Sequence, residues 1–165
     1  MRQFQEGDGW QAIYEEVVFT LAMIFASGVH AELAAPLEAH QGAWEQIDGE
    51  RRAAEVALVR ANARVAWCDT ALDGTVTRFA TRLLADCEGD RAHKTFAAFF
   101  PEAPNTLTRM ALGRQLDAME GFAELGGKHT LSKTARSRLQ AVLDAMEPGA
   151  AALAEREAVE RRLAA

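Results

Sequence analysis

The chain has 165 residues, a net charge of −6, 49% hydrophobic residues and 25% charged residues. This length and composition are typical of one globular domain that forms its core without disulfides or metals. The negative charge argues against non-specific nucleic-acid binding by the whole surface. Alanine is abundant and aromatic residues are few, which favours helices over sheets.

The charge is spread unevenly along the chain. Residues 1–50 contain nine acidic residues and one basic residue, a net charge of −8, whereas residues 51–100 have a net charge of +2. Residues 101–165 contain nine charges of each sign. The acidic first third must therefore face water, the rest of the chain or a basic partner.

A first helix is predicted to begin at Asp8, whose side chain suits the N-cap position. Apolar residues then recur at spacings of three and four up to Phe25, and the stripe is wide enough for a helix central in a bundle or in an oligomer interface. The apolar run Val17–Val29 has thirteen residues, whereas a membrane span needs roughly 20. We therefore expect no membrane span, and a kink or short break between Gly28 and Pro36.

A second helix, at about residues 50–87, carries the strongest pattern. Apolar residues alternate at spacings of three and four over more than four heptads, which is typical of a coiled-coil-like seam. The helix would be roughly 57 Å long, so it needs a long partner: either the preceding segment folded back antiparallel, or a second copy of the chain. The candidate residues for a seam between copies are Leu58, Val65, Leu72 and Phe79.

Three phenylalanines and two prolines lie close together in Phe96–Leu107. Phe96, Phe99 and Phe100 share one face of a short helix, predicted at Ala92–Phe100. This face is interpreted first as an apolar plug between two parts of a bundle, and alternatively as the lining of a pocket. The PxxP spacing of Pro101 and Pro104 is interpreted as a structural turn rather than a recognition motif.

The remaining residues predict three further helices. The first is capped by Asn105 or Thr106 and ends at Gly126-Gly127; the second begins at Ser132; the third has Pro148 in its first turn. The expected fold is an all-α bundle built on a long antiparallel helix pair, with a shorter three-helix C-terminal part. Residues 1–90 would form a kinked hairpin, on which residues 91–165 pack as part of one structural unit.

The sequence contains no pattern that indicates catalysis or a built-in metal. A di-metal carboxylate bundle requires an acidic residue three positions before a histidine on the same helix; only His93 has one, Asp90, and Asp90 lies in a predicted loop. Cys68 and Cys87 belong to no metal-binding or redox spacing. We expect both to be reduced and buried in a cytoplasmic protein, and we predict no cofactor and no catalytic residue.

A basic patch, defined as Lys128, Lys133, Arg136 and Arg138, surrounds the predicted helix start at Ser132 and contains no acidic residue. Free backbone N–H groups at a helix start favour anions. The patch could bind an anion or an acidic partner, form a solvated face, or compensate the acidic first third of the chain. It lacks aromatic residues for base stacking, which argues against nucleic acid.

These patterns predict a non-catalytic helical scaffold or interaction protein that associates with itself or with another protein. The basis is the long seam, the charge asymmetry and the lack of catalytic motifs. The alternative is a small-molecule or anion-binding helical bundle, which a large closed apolar cavity would favour and a filled core would disfavour.

Overall fold

The computed structural model describes residues 9–164, and within them the chain forms helices and no strand. The all-α class predicted from the sequence is confirmed. Besides a 3₁₀ helix at Ala31–Leu33, the α-helices are α1 Trp10–Ser27, α2 Ala34–Asp86, α3 Lys94–Phe99, α4 Pro104–Leu107, α5 Leu112–Ala118, α6 Phe122–Lys128 and α7 Lys133–Leu163.

The chain divides into two units, one ending at Glu55 and the other beginning at Val56. The boundary falls inside α2, so this helix contributes residues to both units. The first unit contains α1, the 3₁₀ helix and the beginning of α2. The second contains the rest of α2 and the helices α3–α7. The division at residue 90 that the sequence suggested stays a prediction.

The break predicted between Gly28 and Pro36 is present. Gly28 ends α1 with a φ of 67°, a left-handed conformation that glycine adopts without steric cost, and its N–H donates to the Ile24 carbonyl. The 3₁₀ helix follows, and Pro36 lies in the first turn of α2, where its missing N–H costs little. α1 begins after Gly9; the predicted cap, Asp8, lies outside the described residues.

α2 has 53 residues, Ala34–Asp86. It ends at Asp86, as predicted, but the predicted start near residue 50 is wrong. Asp48 and Gly49 lie inside the helix because one glycine costs only about 1 kcal/mol there. Asp48 also supports the helix through ion pairs with Arg51, at 3.2 Å, and Arg52, at 2.8 Å, on the next turn.

In the second unit, α2 and α7 run in opposite directions. Arg64 forms an ion pair with Glu155 at 2.8 Å, and the Cys68 thiol donates to the Pro148 carbonyl at 3.5 Å. Nearer the end of α2, Ser132 donates to the Asp86 carboxylate. Residue numbers therefore rise along one helix and fall along the other, so α7 accompanies this part of α2. An antiparallel pairing of α1 with α2 stays a prediction.

An aromatic cluster joins α2, α3 and α6 in the core of the second unit. Phe79 packs edge-on against Phe99, with 5.1 Å between ring centroids, and Phe99 packs edge-on against Phe122 at 5.3 Å. These geometries match the electrostatics of aromatic rings, and each pair contributes about 0.5–1.5 kcal/mol beyond area burial. The cluster consists of Phe79, Phe96, Phe99, Phe100 and Phe122, all buried.

The helix boundaries between residues 104 and 128 differ from those predicted. Asn105 and Thr106 are not caps, because Pro104 occupies the first position of α4, where its fixed φ suits a helix start. The single predicted helix is replaced by the short helices α4, α5 and α6. Gly126 and Gly127 lie inside α6 rather than in a loop.

The last two predicted helices are one continuous helix. Ser132 caps it as predicted, since its hydroxyl accepts from the Ala135 N–H at 3.2 Å. Pro148 lies inside α7 rather than at the start of a helix, so the Asp144 carbonyl loses its usual partner. Burial of Gly149 and Ala152 in the next turn stabilises the continuous form and outweighs that loss.

The aromatic cluster generates a first prediction. Phe99→Ala should lower the free energy of unfolding by about 3–5 kcal/mol, because it removes a buried ring and leaves a cavity. Urea denaturation would measure the loss. Trp67→Ala removes an exposed aromatic ring from α2 and should change stability by about 0.5 kcal/mol or less. Equal losses in the two variants would contradict this description of the core.

The adjacent glycines of α6 form a matched pair for a second prediction. A Cβ at Gly126 would lie 2.5 Å from Cδ2 of Leu139, a buried core residue, whereas a Cβ at Gly127 meets nothing within 4 Å. Gly127→Ala should therefore gain about 0.5–1 kcal/mol of helix propensity. Gly126→Ala should instead cost about 1–3 kcal/mol through overpacking. Thermal unfolding of both variants checks the order, and a Gly126→Ala variant as stable as Gly127→Ala would contradict it.

Candidate functional site

Several large exposed apolar residues of the first unit lie along α1 and just beyond its end, and Ile47 of α2 is also exposed. Phe19 is 59% exposed, Phe25 62%, Met23 52% and Val29 56%. We call this surface the α1 face. It consists of Val18, Phe19, Ala22, Met23, Phe25, Ala26 and Val29.

The spacing of residues explains why α1 is apolar on two sides. Leu21 and Ile24 share the buried side of the helix. Val18, Ala22 and Phe25 recur at spacings of four and three, and so form a second stripe that remains exposed. Val29 follows Gly28, beyond the end of α1. Between Val17 and Val29 the chain has no charged residue to break this stripe. A helix apolar on most of its circumference is typical of one with neighbours on several sides.

Polar and aromatic contacts hold the other side of α1 against α2 within the first unit. The Tyr14 hydroxyl donates to Glu45 at 2.7 Å, and this hydrogen bond raises the Tyr14 pKa. Hydrogen bonds from Gln41 and then Tyr14 lower the Glu45 pKa. Both Trp10 and Tyr14 pack against Trp44, with ring centroids about 6.5 Å apart. These contacts use the N-terminal half of α1 and leave the α1 face uncovered.

The four candidate seam residues have different environments. Leu72 and Phe79 are buried in the core of the second unit, and Val65 packs against that core. Leu58 is only half-buried. Leu72 and Phe79 are thus covered by other helices of the same chain, and contact with a second copy at these positions would require the core to open.

The predicted plug residues Phe96, Phe99 and Phe100 are all buried in the aromatic cluster. Two surface clefts border this cluster. One, of about 160 Å³, is lined by Phe99, Phe100 and Phe122; the other, of about 400 Å³, is lined by Arg91, Phe96 and several threonines. Ring packing fills the space between the phenylalanines themselves.

The basic patch is found at the predicted place, around the start of α7. Lys128 pairs with Glu124 on the preceding turn of α6. Lys133, Arg136 and Arg138 are exposed, and none of them forms an ion pair within the described part of the chain. The Ser132 hydroxyl that caps α7 also donates to Asp86. The Asp86 carboxylate, which also pairs with Arg82, therefore lies beside the start of α7, where the helix dipole favours an anion.

Both cysteines are free and buried, as predicted. The Cys87 sulfur lies 3.3 Å from His93 Nδ1, a contact that the sequence did not reveal. Burial raises the Cys87 pKa, and the charges of Asp86 and Asp90 raise it further. A backbone hydrogen bond lowers this pKa by less than burial raises it. His93 Nδ1 also accepts from the Thr95 N–H, so it is an acceptor for a protonated thiol. The pair braces the loop before α3, and the raised pKa favours the thiol over the thiolate that nucleophilic catalysis needs.

Two carboxylates and an amide meet where α5 packs on α2. Gln115 is fully buried and donates to Asp73 at 2.8 Å. Asp69, one turn before Asp73, has a buried Oδ1 without a hydrogen-bond partner in the described structure. The Asp69 pKa is raised mainly by burial, and also by the nearby charge of Asp73. Within residues 9–164, no three His, Cys, Asp or Glu side chains are arranged to hold a metal ion.

Comparisons with known proteins identify no relative: the chain matches no family model, no curated protein and no solved structure. Among the helices of the described chain, none combines the length and apolarity that crossing a membrane requires. The candidate site therefore rests on the chain's own geometry, and the α1 face is an exposed apolar surface of the first unit.

The raised pKa of Asp69 generates a third prediction. The Asp69 pKa is higher in the folded state than its ordinary value of 3.8, so ionised Asp69 destabilises the fold at a pH above the folded-state pKa. This free-energy cost disappears at a pH below 3.8, where Asp69 is protonated in both states. Asp69→Asn should therefore raise the melting temperature at pH 7, and the gain should shrink as the pH falls towards about 3. The exposed Asp117 provides the control, since Asp117→Asn should show no such gain. A gain independent of pH would argue against ionisation as the cause.

Proposed function

We propose that this chain is a non-catalytic helical interaction protein that self-associates through the α1 face of its first unit. The observation that carries the proposal is the exposure of Phe19 and Phe25, two large aromatic side chains on an uncharged helical segment. Exposed apolar patches mark interaction sites, and aromatic residues are enriched in them.

The size of the surface supports the proposal. A phenylalanine side chain buries about 150–250 Å² when covered. Five large residues of the α1 face, each about half exposed, thus leave roughly 500 Å² of apolar area in water. Covering that area in a complex would contribute roughly 12 kcal/mol of favourable hydrophobic free energy per copy. The entropic cost of association must be subtracted from this value. Apolar patches of this size on a monomer are often functional.

On α1, the acidic residues lie at one end of the apolar stripe rather than along it. Glu15 lies at the beginning of the α1 face, and no other acidic residue follows on α1 after Glu16. An apolar centre with charges at its edge is the arrangement found in protein–protein interfaces, where charged residues are depleted from the core.

The small-molecule alternative has weaker support. A large closed apolar cavity would favour this alternative. The aromatic cluster is instead packed, and the two clefts beside it lie at the surface. The anion alternative also has less support, since Asp86 of the same chain already lies at the start of α7.

The fourth prediction tests self-association. Sedimentation velocity over a range of protein concentrations should show oligomers of the natural chain. Phe19→Gln/Phe25→Gln should shift the chain to monomer, because the substitutions remove the two largest residues of the α1 face while glutamine preserves helix propensity. Circular dichroism should show unchanged helix content.

The matched control is Val59→Gln/Trp67→Gln, which removes two equally exposed apolar residues from α2 in the second unit. This variant should oligomerise as the natural chain does. If the natural chain is monomeric throughout, or if both double variants dissociate equally, the proposal is wrong.

A further inference from the structure

We draw no further inference here: the strongest candidate, the surface cleft of about 400 Å³ beside the aromatic cluster, lined by Arg91, Phe96 and several threonines, carries none because nothing in the structure shows what would occupy it.

Discussion

The packing of Phe79 is the interaction on which the second unit depends. Its ring contacts Phe99, Phe100 and Phe122, and so ties the middle of α2 to α3 and α6. The same stripe of α2 that contains Phe79 also contains Leu72 and Val76, which are fully buried. A helix as long as α2 is stable in water only where neighbours cover its apolar side, and here helices of the same chain provide that cover.

This packing also explains the irregular features of α6 and α7. Gly126 permits Leu139 to approach the α6 backbone more closely than any side chain would allow. Pro148 is retained within α7 although it removes a helical hydrogen bond, because the following turn is buried against Leu112 and Leu116. In both cases a contact between helices outweighs a local preference of about 1–3 kcal/mol.

The same apolar helical pattern has a different environment in each of the two units. Residues spaced by three and four form a buried core on α2 in the second unit, but on α1 in the first unit they leave the α1 face exposed. An apolar stripe without cover costs free energy in water, and that cost would drive the proposed association. The proposed interaction surface thus follows from the same helical periodicity that builds the core, at a place where the chain provides too few neighbours.

Local signals in the sequence determined the helical class, the break at Gly28, the end of α2 and the capping of α7 by Ser132, because each depends on residues close together in the chain. They also identified α1 as apolar on an unusually wide arc. Only the tertiary structure decided which stripes are covered, why Gly126 and Pro148 continue their helices, and that Cys87 meets His93. These outcomes depend on which distant residues approach one another, and helical periodicity specifies a face without specifying the neighbour that covers it.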